Sequence, residues 1–382
     1  MPDELRALTR LTFDELALAT GGIGQIHRAI ADRAFGATGS SAPRVIHDAV
    51  AGAVYGGLRA GADLTGRGVS ALVAGRGAIS ESPRVAMMVA VLNGLRGDVL
   101  EREGSELASP MAFRVGGRAV APEDLEVSPR IVVFLHGLFE TEHAWGRLSY
   151  GSRLSRDLGV TPLWIRYNTG RHISENGRSL AALLDELVAC HEISQIALVG
   201  HSMGGLVARS ACQAGGDWTR VVRHTVSLGT PHTGAPLESA VHYASAALGV
   251  APETRPFAGF LRRRSAGIRD LRSGSLVDED WQGRDPEALR AAACAEVPLL
   301  PGAAHHFVAA TVTSDASHPV ARMIGDWLVL QPSASGRSRA RVIGFRAEDG
   351  VHVGGTHHLA LLNHPQVYEH LREWLARAPR AG

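Results

Sequence analysis

The sequence predicts an α/β fold, in which a mostly parallel sheet is flanked by helices and preceded by a helical N-terminal region. From residue 111 onward strand-like and helix-like stretches alternate, a rhythm typical of parallel strands joined by helices. Residues 1–107 instead are rich in Ala and Gly and place small or apolar side chains at helical spacing. At 382 residues and 45% hydrophobic composition, the chain can bury one large core or two modest ones.

The alternating part begins with a predicted hairpin, because two short apolar runs flank Gly116 and Gly117. This hairpin is expected to add an antiparallel edge to the sheet. The later strands are predicted at 130–136, 161–167, 195–200, 221–229, 305–313 and 339–347, with helices between them and at 365–377.

The N-terminal region, residues 1–107, contains a small-xxx-small pair at Gly52 and Gly56, which lets helices approach closely. Three roles stay open for its helices: packing on the main domain, homo-oligomerisation with a second copy of the chain, or peripheral contact with a membrane, lipid surface or granule.

The overall composition excludes several classes of protein. A formal charge of +1 argues against nucleic-acid binding. Three widely spaced cysteines, Cys190, Cys212 and Cys294, suggest neither a disulfide framework nor a zinc site. The acidic N-terminus does not resemble a secretory signal, and no charge-free apolar run reaches the ~18 residues of a membrane span. We therefore expect a soluble, cytoplasmic protein.

Residues Gly200–Gly204, with the sequence GHSMG, form a G-x-S-x-G motif between a predicted strand and a predicted helix. This context is typical of a nucleophile elbow, a sharp turn that strains the serine backbone and needs small residues two positions to either side. A serine hydroxyl also needs an adjacent base, which is oriented by an acid. Ser202 is therefore the candidate nucleophile.

Five stretches resemble, in combination and in order, the bacterial lipases and inositol-deacylase-like esterases of the α/β-hydrolase superfamily. They are FLHGL at 134–138, GHSMGG at 200–205, LGTPHTGAP at 228–236, GDWLVLQPSASG at 325–336 and HHLALL at 357–362. The resemblance covers roughly residues 111–382. It implies the α/β-hydrolase fold and an esterase or lipase activity.

The resemblance also implies the two partners of the serine. In such lipases the catalytic histidine precedes Leu or a similar residue, which selects His358 and leaves His357 as the alternative. The acid begins a stretch like Asp-Gly-Leu-Val, which selects Asp326 although Trp327 replaces the glycine. Asp315, at the end of the strand predicted at 305–313, is the competing acid.

Two backbone N–H groups are needed to stabilise the oxyanion. One is expected from Met203, at the positive end of its helix, and the resemblance assigns the other to Leu138. His136 and His201 are expected to hold loops by hydrogen bonds. No cofactor and no metal is expected, since the structural calcium of secreted relatives uses an Asp just after the catalytic histidine, where this chain has HLALL.

The predicted function is serine carboxylic-ester hydrolysis, through an acyl-enzyme, of a small-molecule ester or lipid with an apolar acyl group. Roughly 70 residues, 234–304, interrupt the strand-helix rhythm and are predicted to form a helical lid whose Leu261 and Leu271 line an acyl pocket. An acyltransferase or amidase would use the same triad. A lipid-surface or granule-associated interaction protein on a hydrolase scaffold is the alternative from another class, and the presence of a candidate for every triad role argues against it.

Overall fold

An eight-stranded sheet forms the centre of the molecule. The computed structural model describes residues 82–146, 149–235, 264–286, 288, 293–339 and 341–377. The strands are β1 (Ala112–Val115), β2 (Arg118–Val120), β3 (Arg130–Leu135), β4 (Thr161–Arg166), β5 (Gln195–His201), β6 (Val222–Leu228), β7 (Ala304–Thr311) and β8 (Gly350–Gly354). In space their order is β2-β1-β4-β3-β5-β6-β7-β8. The predicted mostly parallel sheet is therefore confirmed.

The sheet has one antiparallel edge and a parallel body. The hairpin β1–β2 turns at Gly116 and Gly117, both at positive φ, and β1 pairs antiparallel with β4. Strands β3 to β8 pair with one another in parallel. Strand β5 lies in the middle of this body, so whatever follows its carboxyl end is placed at the centre of one sheet edge, where ligands of open α/β sheets bind.

Helices cover both faces of the sheet. They are α1 (Pro83–Arg102), α2 (Tyr150–Leu158), α3 (Ile173–Cys190), α4 (Met203–Ala214), α5 (Ala266–Asp270), α6 (Pro319–Ile324), α7 (Gln331–Ala334) and α8 (Pro365–Ala376). In β3, Ile131 and Val133 pack with α3 and α4, whereas Val132 and Phe134 pack with α2 and α8. Both faces of the strand are buried, as expected for a parallel sheet. None of the helices in the described ranges is both long and apolar enough to cross a membrane.

Helix α1 falls within the predicted N-terminal region and packs closely on the body of the sheet domain. A Cβ atom on Gly97 would lie 1.8 Å from Asn168 Oδ1, and one on Gly170 would lie 2.0 Å from the carbonyl oxygen of Asn93. Asn168 Nδ2 donates to the carbonyl of Gly97 at 2.9 Å. Glycine therefore allows the helix to touch the loop after β4. Gly52, Gly56 and the rest of 1–81 lie outside the described residues.

The prediction of a strand at 339–347 is wrong. Ile343 and Phe345 are buried against Phe307, which explains the apolar alternation, but their segment forms only an isolated bridge. The strand that pairs with β7 is β8, which begins with Gly350 opposite Phe307. A Cβ atom on Gly350 would lie 2.0 Å from the Phe307 ring, so glycine at this position admits the aromatic side chain.

The insertion predicted as a lid is described only in its second half. Residues 236–263, with Leu261, lie outside the described residues. Leu271 and Leu276 are buried in the core on the α3–α4 face, and the hydroxyl of Ser210 donates to the carbonyl of Leu276 at 2.7 Å. The described half is therefore anchored to the body of the domain.

Candidate active site

Ser202 lies in a strained turn between β5 and α4. Its backbone has φ 52° and ψ −121°, a conformation that residues with a side chain rarely adopt. The N–H of Ser202 donates to the carbonyl of Leu228 at the end of β6, at 2.8 Å. The turn therefore projects the serine at the carboxyl end of the central strand, as a nucleophile elbow requires.

The glycines around Ser202 have a steric reason to be there. A Cβ atom on Gly200 would lie 2.4 Å from the backbone nitrogen of Gly205, and one on Gly204 would lie 2.4 Å from the carbonyl oxygen of Leu135. Both distances are too short for any side chain. The close approach of β5, α4 and β3 at this point thus depends on the G-x-S-x-G pattern.

Asp326 and His358 form a buried pair on the loops after β7 and β8. Their Oδ2 and Nδ1 atoms are 2.7 Å apart, and the N–H of His358 donates to the carbonyl of Asp326 at 2.9 Å. Burial alone would lower the pKa of His358, but the charge of Asp326, its hydrogen bond and then the charge of Glu140 raise the pKa overall. The pair therefore favours a protonated imidazole, which a general base must become.

A tight turn presents the carboxylate of Asp326. Its Oδ1 atom accepts hydrogen bonds from the N–H groups of Leu328 at 3.0 Å and Val329 at 2.8 Å. The intervening Trp327 has φ 90°, the conformation that glycine adopts most easily. The motif resemblance expects glycine at this position, and the turn forms here with Trp327.

The two alternative triad residues lie apart from this pair. Asp315 is exposed and accepts hydrogen bonds from Ser317, which hold its pKa below the ordinary value. His357 is half-buried, and this burial lowers its pKa. The structure brings together Asp326 and His358, and it does not bring Asp315 to the imidazole of His358.

The imidazole of His358 lies against the backbone that follows β6. A Cβ atom on Gly229 would be 3.1 Å from both Nδ1 and Cε1 of His358, and the preceding Leu228 accepts the hydrogen bond from Ser202. The Nε2 atom of His358 is buried and has no hydrogen-bond partner in the described part of the chain. The nitrogen that would take a proton from a serine is thus not committed to another group.

The loop after β3 lies beside the serine and contains one of the two predicted oxyanion donors. A Cβ atom on Gly137 would be 3.0 Å from the Cβ of Ser202. The N–H of Gly137 donates to the carboxylate of Glu140 at 2.7 Å, and the next residue along the loop is Leu138, the predicted oxyanion donor. Met203, the other predicted donor, is the first residue of α4 and is fully buried.

Glu140 is a residue of the site that sequence reasoning missed. Its side chain is 11% exposed and contacts His201 as well as Gly137. Burial alone would raise the pKa of Glu140, but the neighbouring His201 and the hydrogen bonds lower it overall. The only signal in the sequence is an acid three residues after the glycine of HGLFE.

The sheet order, the elbow after the central strand and the Asp–His pair at the same sheet edge are those of the α/β-hydrolase superfamily, as the motifs predicted. Residues 126–250 match the PGAP1-like alpha/beta domain.

Among the described residues, no group of three or more His, Cys, Asp or Glu is arranged to hold a metal ion.

The chain is also similar to solved lipase structures. The mature lipase BlEst2 of Bacillus licheniformis is 19% identical with a TM-score of 0.42, over 64% of this chain and 91% of that one. Aspergillus fumigatus lipase B is 11% identical with a TM-score of 0.43, over 66% of this chain and 54% of that one.

Proposed function

We propose that this chain is a serine carboxylic-ester hydrolase that cleaves an ester through an acyl-enzyme. The observation that carries the proposal is the buried pair of Asp326 and His358, 2.7 Å apart, at the sheet edge where Ser202 occupies a strained elbow. A strained nucleophile and a base oriented by a carboxylate are the parts that acyl transfer needs.

In the first half-reaction, Oγ of Ser202 attacks the ester carbonyl carbon while its proton passes to Nε2 of His358. The oxyanion accepts hydrogen bonds from the N–H groups of Leu138 and Met203. The tetrahedral intermediate then collapses, and the leaving alcohol takes the proton from His358. Asp326 stabilises the imidazolium throughout and stays ionised.

In the second half-reaction, a water molecule gives a proton to His358 as its oxygen attacks the acyl carbon. The bond to Ser202 then breaks, and the serine oxygen recovers the proton. The half-buried side chains of Leu138 and Phe139 beside the serine favour an apolar acyl group over a sugar or a charged peptide. The substrate class is therefore a small ester or a lipid.

The test is covalent labelling with a fluorophosphonate, together with hydrolysis of p-nitrophenyl butyrate. Wild type should be labelled at Ser202 and should hydrolyse the ester, whereas Ser202→Ala should do neither because it lacks the nucleophile. Ser317→Ala, which removes an exposed hydroxyl bonded to Asp315, is the matched control and should behave as wild type. Labelling of another serine, or hydrolysis by folded Ser202→Ala, would refute the proposal.

A further inference from the structure

A nearly buried carboxylate lies next to the nucleophile but belongs to none of the triad roles. The Oε2 atom of Glu140 accepts a hydrogen bond from the N–H of Gly137 at 2.7 Å and lies 3.0 Å from Nδ1 of His201. Gly137 adjoins Leu138 in the loop after β3, residues 136–140, which we call the oxyanion loop. His201 immediately precedes Ser202. One oxygen atom thus joins the oxyanion loop to the elbow.

His201 extends this connection to the catalytic base. Its side chain is fully buried, and its Nε2 atom lies 3.3 Å from the backbone carbonyl oxygen of His358. A carboxylate and a carbonyl can only accept hydrogen bonds, so both contacts form together when both ring nitrogens of His201 carry hydrogen. The carboxylate of Glu140 is the acceptor that faces Nδ1 of His201.

We propose that Glu140 is a positioning residue of the ester hydrolase, which through His201 and the Gly137 N–H fixes the oxyanion loop, the elbow and the backbone of His358 relative to one another. This inference rests on the proposed function. Glu140 contacts neither the substrate nor the reacting atoms, so its effect on the reaction is geometric. The distances between nucleophile, base and oxyanion donors are what it controls.

The oxyanion loop needs such a restraint because its backbone is strained. Phe139 has φ 65°, which residues other than glycine adopt only when the surroundings hold them there. The carbonyl of Gly137 also accepts from the N–H of Glu140 at 3.2 Å, so both polar groups of Gly137 bond to Glu140. Loss of the carboxylate removes the shorter of the two hydrogen bonds between Gly137 and Glu140.

The test compares Glu140→Gln with wild type in kcat, KM and melting temperature on p-nitrophenyl butyrate. Glutamine keeps the size and an oxygen that can accept from Gly137, but it removes the negative charge that faces the ring of His201. A misplacement on the order of 1 Å can lower kcat about 100-fold, and we expect a loss of roughly that order in kcat, with KM changed less than about threefold. A fold-stabilising role alone would lower the melting temperature and leave kcat of the folded protein unchanged.

Glu142→Gln is the matched control, since Glu142 is a buried carboxylate of the same loop whose partner is Arg166, 2.5 Å away. The carboxylate that bonds to Gly137 and His201 is that of Glu140, and Glu142 bonds to Arg166 instead. Glu142→Gln should therefore lower the melting temperature without a comparable loss of kcat. His201→Gln breaks the same connection at its second member. The double variant Glu140→Gln/His201→Gln should therefore lose no more kcat than the worse single variant.

Three results would overturn the inference: wild-type kcat in folded Glu140→Gln, an equal kcat loss in Glu142→Gln, or multiplicative losses in the double variant. If Glu140→Gln does not fold, the kcat of His201→Gln tests the inference in its place. A wild-type kcat in His201→Gln would refute the positioning role of the contact between Glu140 and His201. Failure of the proposed function is distinguishable, because wild type itself would then neither hydrolyse the ester nor be labelled at Ser202.

Discussion

Replacing Asp326 with Asn would test the triad with almost no change of shape. In the native turn Oδ1 of Asp326 accepts from Leu328 and Val329, while Oδ2 faces Nδ1 of His358 at 2.7 Å. The amide oxygen of Asn can keep the two backbone bonds, which places its NH₂ group against Nδ1. An amide NH₂ only donates, so Nδ1 must accept and the ring hydrogen moves to Nε2.

His358 would then carry hydrogen on the nitrogen that has to take the proton from Ser202. The corresponding change lowers kcat about 10⁴-fold in the best-studied serine triad. At 1.36 kcal/mol per tenfold, this is about 5.4 kcal/mol of transition-state stabilisation. Because the backbone bonds of the turn are kept, we expect the melting temperature to change little.

The assay is the steady-state kcat for p-nitrophenyl butyrate, with Asp315→Asn as the control. Asp315 is exposed and bonded to Ser317, so its replacement should leave kcat within about threefold of wild type, as for most surface substitutions. If Asp326→Asn kept more than about a tenth of wild-type kcat, the tautomer argument would fail. A large loss in Asp315→Asn instead would move the acid role to that residue.

Four further predictions test the surroundings of the site. Gly94→Ala should lower kcat on the order of 100-fold, because the new Cβ would lie 2.1 Å from the ring of Phe139 and displace the oxyanion loop; unchanged kcat would contradict this. The acidic limb of kcat/KM against pH should have its midpoint above 6.5, because the pKa of His358 is raised, and a midpoint below 6.5 would contradict that direction. Because the pKa of His358 is raised in the folded state, the Asp326–His358 pair should contribute fully to the free energy of unfolding at pH values below the pKa of an unfolded imidazole. This contribution should be lost as the pH rises through the folded pKa of His358. Urea unfolding at several pH values would measure the change. A fragment of residues 82–382 should hydrolyse the ester, whereas residues 108–382 should be inactive or insoluble without α1, and equal activity of the two would refute a role of α1.

The parts of the structure that could be predicted from sequence are those set by backbone geometry. Gly200 and Gly204 are required where β5 and α4 approach other backbone, so the motif alone locates the elbow. The resemblance selected Asp326 and His358, whose side chains the structure places 2.7 Å apart, and the turn at Asp326 accommodates Trp327 at φ 90°. Steric constraints that act within a short segment can therefore be recognised as sequence motifs.

The parts that could not be predicted depend on which distant segments meet. Ile343 and Phe345 alternate as in a strand, but alternation reports burial and not pairing. The second neighbour of β7, after β6, is β8, in which Gly350 leaves room for the ring of Phe307. Glu140 likewise reads as an exposed loop acid. Its burial follows from the side-by-side pairing of β3 and β5, which brings His201 to the loop after β3.

Helix α1, on the N-terminal side of the sheet domain, packs against the loop after β3. Gly94 leaves the space that the ring of Phe139 fills, and the carbonyl of Gly94 accepts a hydrogen bond from the hydroxyl of Ser265 at 2.6 Å. The backbone N–H of Ala266 donates to Asp98 of the same helix at 3.2 Å. The loop of the proposed oxyanion hole is therefore confined by α1 on its outer side and by Glu140 on its inner side. Helix α1 and the segment at 265–266, both far in sequence from Leu138, thus pack together beside this loop. We therefore expect the catalytic unit to include α1, a helix that composition alone assigns to a separate region.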